Sequence, residues 1–186
     1  MDLLFFLPIV SVVVIVSARL TEMGTNRHVI RGEIRENLTL RLFLLVGTVI
    51  ACCSILEYTF LRPAPSWPAL LIGWACAISS FAIRRRAIAA LGKFWSLHVE
   101  IRAEHEFVQS GPFRFVRHPA YFSMILELLA LTVICRAWFT ILAIPLLFIP
   151  VLVRRIRLEE GALIAKFGLA YEEYRRTTPA LFPRPW

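Results

Sequence analysis

Five long apolar runs, separated by clusters of arginine, dominate this sequence. A helix that crosses the hydrocarbon core of a bilayer needs about 20 mostly apolar residues, with a range of roughly 17 to 25. The chain is 58% hydrophobic and 18% charged, which is outside the usual balance of a soluble domain. We therefore predict an all-α integral membrane bundle with about five transmembrane helices: Asp2 to Ala18, Leu40 to Leu61, Trp67 to Ile83, Pro119 to Ile134 and Ala137 to Val153.

The first apolar run has the length of a signal-peptide core. No basic residue precedes it, however, and no small-x-small cleavage pattern follows it. We expect this run to be retained as the first span.

The basic residues predict the orientation of the bundle. All but two of the 21 lysines and arginines lie in the segments that directly follow the first, third and fifth runs, and the exceptions are Arg62 and Arg136. Because lysine and arginine are concentrated in cytoplasmic loops, the N-terminus should be outside and the C-terminus in the cytoplasm. The external connections are short turns and leave no room for an active site. We therefore expect the active site on the cytoplasmic side of an inner membrane or its equivalent.

The chain should form a single membrane domain over residues 1–186. Residues 1–83 would hold the first three spans and a cytoplasmic loop, and residues 84–186 would hold a long loop, the last two spans and a helical tail. The net charge of +8 is spread between apolar runs and forms no single basic stripe, so anionic lipid headgroups are a better partner than nucleic acid.

Cysteine and the acidic residues within the spans point to packing more than to metal chemistry. The sequence has no C-x-x-C pair and no histidine at metal-ligand spacing, so we expect no metal site and interpret the four cysteines as packing residues. Glu57 lies near the external end of the second span, away from the cytoplasmic loops. Glu127 lies about two turns into the fourth span, where either an interior cavity or a structural hydrogen bond would explain it.

The fifth run is predicted to continue as a helix into the cytoplasm. Arg155, Glu159 and Leu163 share a face at spacings of four residues, which by itself would suit an ordinary surface ion pair between the first two. Gly168 is expected to end this helix before a short second one.

Two blocks of the C-terminal half resemble the isoprenylcysteine carboxyl methyltransferase family, within the wider group of membrane phospholipid methyltransferases. The blocks are EHEFVQSGPFRFVRHPAYFSMILE, from Glu104 to Glu127, and RRIRLEEGALIAKFGLAYEEYRRTTPALFP, from Arg154 to Pro183. The first three spans share with that family only their hydrophobicity.

The resemblance implies that S-adenosylmethionine binds in a pocket roofed by the long loop and the tail, with a lipophilic substrate entering sideways between helices. Carried over by position, Arg155 would hold the substrate carboxylate and Glu159 would contact the cofactor. Phe113 stands where the family usually has tyrosine, and His98 falls near a position that can be glutamine. The other residues expected to line the cofactor are His105, Glu106, Phe107, Val108, His118, Pro119, Ala120 and Tyr121.

The expected function is carboxyl methylation of a prenylcysteine-like acceptor, and three alternatives stay open. The same pocket would suit a phospholipid amine or another small lipophilic acceptor. Sterol reductases, which use NADPH, carry a similar Arg-His-Pro-x-Tyr pattern. A non-catalytic channel or assembly factor would need a polar stripe along the spans. The sequence does not predict the oligomeric state.

Overall fold

The computed structural model describes residues 3–24, 33–34, 38–95, 100–101 and 108–182. In this part of the chain the fold is a helical membrane bundle, with one antiparallel pair of two-residue strands, β1 (Glu33–Ile34) and β2 (Glu100–Ile101). The helices are α1 (Leu7–Gly24), α2 (Leu38–Leu61), α3 (Trp67–Leu91), α4 (Pro119–Ile134), α5 (Ile149–Phe167) and α6 (Leu169–Thr177).

Three helices of the described residues are long and apolar enough to cross a membrane: Leu4–Glu22, Leu38–Leu61 and Trp67–Phe94. Their outward faces carry large apolar side chains that water would not solvate well, such as Phe60 at 82% exposure and Leu71 at 70%. The bundle is therefore suited to a lipid environment. The count of five spans and the orientation stay predictions.

The fourth and fifth apolar runs take shorter or irregular helical forms. α4 has 16 residues. The fifth run begins as a 3-10 turn, Thr140–Leu142, and a π-helical turn, Ile144–Phe148, before α5 starts. Pro145 and Pro150 lack the backbone N–H that a regular helix needs, which accounts for the irregular start.

Glu57 holds the C-terminal end of α2 to the start of the fifth apolar run. Its carboxylate accepts hydrogen bonds from the backbone N–H of Phe139 (3.0 Å), from the N–H of Thr140 (2.7 Å) and from the Thr140 hydroxyl (2.7 Å). It thus satisfies three donors at the start of the fifth apolar run. Glu57 has a structural role there, away from the Arg-His-Pro motif and the acidic stretch of α5.

α4 occupies the centre of the bundle and packs closely on α3. Gly73 permits this approach, because a Cβ atom there would lie 2.3 Å from Ile134 Cγ1. Farther along, the Ser80 hydroxyl donates to the Ser123 carbonyl at 2.6 Å. On its other side α4 contacts α2 and α5 through an apolar core formed by Phe43, Ile50, Ile125, Leu128, Ile144, Phe148, Leu152 and Ile156.

A buried cluster of charged side chains joins α1 to α3 and α4. Arg19 Nε donates to Glu127 Oε2 at 2.7 Å, and the same arginine pairs with Glu22. Arg84, only 1% exposed, lies 3.3 Å from Glu22 and stacks over the ring of Trp95. Of the two explanations for Glu127, the structural hydrogen bond is the one observed.

α3 continues two turns past the predicted end of its span at Ile83. The basic triplet that begins at Arg84 stopped the predicted span, but the helix continues because Arg84 is paired and buried within the bundle. α3 then ends at Gly92, whose φ of 50° favours glycine.

Candidate functional site

The start of α4 presents Arg117 and His118 to the C-terminal half of α5. Pro119 occupies the first turn of α4, where its missing N–H costs no hydrogen bond. His118 Nε2 lies 3.0 Å from Glu160 Oε1, and Arg117 Nη2 lies 2.8 Å from the same oxygen. One carboxylate on α5 therefore holds both side chains that precede α4.

Glu160 is held ionised by this arrangement. Burial alone raises the pKa of its carboxyl, but hydrogen bonds from His118 and Arg117, together with their charges, more than offset burial and leave the pKa below its usual 4.5. Arg175 of α6 adds a longer contact of 3.7 Å to the other carboxylate oxygen. The site keeps an internal anion at neutral pH.

The tail after α6 returns to the same place. The backbone N–H groups of Arg117 and His118 donate to the carbonyls of Pro179 and Ala180, both at 2.9 Å. The Arg117 guanidinium donates to the carbonyls of Arg175, at 2.9 Å, and Thr178. The two sequence blocks thus form one unit.

A tyrosine of α6 connects this unit to the turn that precedes α4. The Tyr174 hydroxyl donates to the Phe113 carbonyl at 2.6 Å. Burial raises the pKa of Tyr174 to about 12, so the hydroxyl stays a donor at physiological pH. The side chain of Phe113 is itself 8% exposed and contributes to the core below this turn.

A second polar group lies one turn into α4. The Tyr121 hydroxyl donates to Glu159 Oε2 at 2.6 Å and accepts from Arg155 Nε at 2.9 Å. Arg155 Nη1 also donates to the Thr39 hydroxyl of α2 at 3.2 Å. The Tyr121 ring stacks against His118, with ring centroids 5.5 Å apart, so the two polar groups are adjacent.

The structure brings together most of the site residues that it describes. His118 and Pro119 are buried, Ala120 and Tyr121 are half-buried at the start of α4, and Arg155 and Glu159 face them from α5. Val108 is half-buried ahead of the turn that contains Phe113. Four predicted residues lie outside the described ranges: His98, His105, Glu106 and Phe107.

Sequence reasoning missed three participants. Glu160 holds His118, whereas the prediction assigned a role only to its neighbour Glu159. Arg117 belongs to the Arg-His-Pro motif, and Glu160 stands next to Glu159 in the acidic stretch of α5. The sequence therefore contained a signal for both Arg117 and Glu160. Thr39 had none, because a threonine at the start of an apolar helix is common and its partner Arg155 is 116 residues away.

The site combines three guanidinium groups with two carboxylates. Arg117 and Arg175 contact Glu160, and Arg155 meets Glu159 through the Tyr121 hydroxyl. Planar guanidinium groups can hold a carboxylate through two parallel hydrogen bonds. Within the described ranges, no three His, Cys, Asp or Glu side chains are grouped as a metal ion would require.

Comparison with known proteins gives a family match across the centre of this site. The model of the isoprenylcysteine carboxyl methyltransferase (ICMT) family matches residues 71–165, about half of the chain. This range contains α4, the Arg-His-Pro motif and both glutamates of α5.

Individual relatives are similar over a comparable part of the chain. An uncharacterized protein of Haemophilus influenzae is 36% identical over 93 residues, which is 50% of this chain and 54% of that protein. The cobalt-zinc-cadmium resistance protein CzcN of Cupriavidus metallidurans is 32% identical over 53% of this chain and 45% of its own. The protein-S-isoprenylcysteine O-methyltransferase of Schizosaccharomyces pombe is 28% identical over 54% and 44%. The chain spans about half the length of the curated relatives it matches.

Proposed function

We propose that this chain, which belongs to the isoprenylcysteine carboxyl methyltransferase family, transfers a methyl group from S-adenosylmethionine to the carboxylate of a prenylcysteine-like lipid. The family is one of methyltransferases, and the apolar helices make the chain a membrane protein. The cofactor, the acceptor and the cytoplasmic position of the site are the parts that we propose.

One observation carries the proposal: Tyr121 lies between Arg155 and Glu159, next to the contact of His118 with Glu160. The residues that the resemblance assigned to substrate and cofactor are thus linked through one hydroxyl. A methyl donor and a methyl acceptor must approach within van der Waals distance in line with the breaking bond. In this proposal Arg155 holds the acceptor and Glu159 holds the donor, so that the two meet beside Tyr121.

The described residues fit S-adenosylmethionine in their chemistry. Glu159 is half-buried, and its carboxylate can accept hydrogen bonds from hydroxyl or amino groups, while the stacked rings of His118 and Tyr121 supply flat surfaces. When bound, the cofactor supplies a methyl group on a positively charged sulfur. The loop predicted to roof this pocket lies largely outside the described residues.

Arg155 performs the positioning of the substrate in this proposal. It is 3% exposed, and its contacts with Tyr121 and Thr39 fix the plane of the guanidinium. A carboxylate is ionised at neutral pH, so it can act as the nucleophile without a general base. Orientation and exclusion of water then supply the catalysis.

In this proposal a lipophilic acceptor reaches Arg155 from the membrane. Arg155 lies next to the apolar core shared by α2, α4 and α5, and the outer face of α2 is apolar. A prenyl chain would occupy that environment while its carboxylate meets the arginine. This route favours a lipidated acceptor over a soluble one.

Calorimetry of the purified chain with S-adenosylmethionine tests the cofactor. We expect Glu159→Gln and His118→Ala to weaken binding and Arg155→Ala chiefly to reduce turnover. Glu173→Gln, an exposed substitution on α6, is the matched control. Absence of heat on titrating folded wild-type protein, with binding of NADPH instead, would replace the proposal with the reductase alternative.

Transfer of a radiolabelled methyl group tests the acceptor. Prenylcysteine analogues with a free carboxylate should be labelled, whereas their amides should not. Labelling of a phospholipid amine in preference to these analogues would retain the cofactor and refute the carboxyl acceptor.

A further inference from the structure

A second surface lies on α5, on the side turned away from the candidate site. It is an open groove with a volume of about 630 Å³. Its described lining residues all belong to α5: Ile149, Pro150, Val153, Arg154, Arg157 and Leu158.

The helical repeat explains why this groove combines apolar and basic side chains. Residues four apart share a face, so Ile149, Val153 and Arg157 form one row, and Pro150 leads to Arg154 and Leu158 in the next. The opposite face of α5 is buried.

The acidic residues of α5 are not available to these arginines. Glu159 is bound by Tyr121, and Glu160 is bound by His118 and Arg117. Arg154 and Arg157 are both exposed, and neither has an ion pair within the described ranges. The groove therefore presents positive charge that no carboxylate of the described residues neutralises.

The groove lies at the predicted membrane boundary of the fifth span. The predicted fifth span ends at Val153, so Ile149 and Pro150 would lie within the hydrocarbon and both arginines just beyond it. From Ile149 to Leu158 the helix rises about 14 Å, which is enough for part of an acyl chain and a headgroup. The apolar part of the groove thus lies where the acyl chain of a phospholipid would be, and the arginines lie where its phosphate would be.

We propose that this groove binds one anionic phospholipid, with an acyl chain against Ile149, Pro150 and Val153 and the phosphate between Arg154 and Arg157. Guanidinium groups match phosphate oxygens through paired hydrogen bonds. The site is separate from the methyl-transfer site and does not rest on the proposed function.

Native mass spectrometry of the detergent-purified chain tests this site. The probes are dioleoylphosphatidylglycerol and dioleoylphosphatidylcholine, titrated separately, and the affinity of the first bound lipid is measured. The wild type should prefer phosphatidylglycerol. Each arginine that meets the phosphate is expected to contribute about 5-fold, so the double variant R154Q/R157Q should lose roughly 25-fold in affinity for that lipid.

The matched control is R85Q/R86Q, which removes the same charge from two exposed arginines of α3. It should change the affinity by less than about 3-fold, because a general surface attraction is weak and screened by salt. Equal affinity of the wild type for the two lipids, or equal losses in the two double variants, would overturn the proposal. If R154Q/R157Q does not fold, R154Q and R157Q alone are each expected to lose about 5-fold, and unchanged affinity in both would refute the site.

Discussion

Replacing Glu160 with glutamine should destabilise the end of the bundle where α4 begins more than any exposed charge change. The side chain is 10% exposed, and it faces Arg117 at 2.8 Å and His118 at 3.0 Å. Glutamine has nearly the same shape but no charge. The variant therefore isolates the electrostatic part of these contacts.

The expected loss follows from what Arg117 retains. Removing one partner of a buried ion pair costs about 3–5 kcal/mol when the remaining charge is left alone. Arg117 still donates to the carbonyls of Arg175 and Thr178, and the glutamine oxygen remains an acceptor. We therefore expect a smaller loss, about 2–3 kcal/mol, since a hydrogen bond to a charged group contributes about 1.5–3 kcal/mol.

Thermal unfolding in detergent measures this loss. For a chain of this size each kcal/mol corresponds to roughly 2–4 °C, so Glu160→Gln should lower the Tm by about 5–10 °C. The control Glu173→Gln removes a carboxylate that is 66% exposed and lies 3.3 Å from Arg176, and it should hardly change the Tm. Equal Tm values for the two variants would show that Glu160 does not hold the start of α4.

The pKa of Glu160 is below 4.5 in the folded protein, so its contribution to stability is present above that pH and is lost as the pH falls through the folded pKa. The difference in Tm between the wild type and Glu160→Gln should therefore shrink below pH 4.5. Gly73→Ala should reduce the free energy of unfolding by about 1–3 kcal/mol, and so lower the Tm, because the new methyl group meets Ile134. Gly47→Ala, which has open space around it, should be neutral or stabilising, and a similar response of the two variants would refute close packing at Gly73. Arg19→Met leaves Glu127 without its arginine, and Glu127→Met leaves Arg19 with Glu22 alone, so each should destabilise the bundle. The double variant should be more stable than Arg19→Met, and additive losses would show that the two side chains do not depend on each other.

The sequence predicted the helical membrane bundle because lipid exposure requires long apolar runs, and these can be recognised without tertiary information. It was less informative about where the helices end. Arg84 marked the end of a span by its charge, yet α3 continues because Glu22 and Trp95 accommodate that charge inside the bundle. Pairing between distant helices is not visible in the local pattern.

The candidate site was likewise predictable only in part from the sequence. The Arg-His-Pro motif and the acidic stretch of α5 were visible as motifs, and the structure places them together. Which glutamate meets His118 depends on the rotation of α5 about its axis, and neighbouring residues differ by about 100°. Glu160 therefore reaches His118 while Glu159 reaches Tyr121, a distinction that spacing alone did not resolve.

The rotation of α5 also connects the two proposed sites. Turning Glu159 and Glu160 toward α4 brings both carboxylates to Arg117, His118 and Tyr121. The same rotation leaves Arg154 and Arg157 exposed, where no described carboxylate pairs with them. Because a rigid helix cannot turn one face without the other, a rotation that exposed the glutamates would also bury these arginines. Anionic lipid in the groove would oppose such a rotation, and in that way would favour the orientation of α5 that keeps the candidate active site assembled.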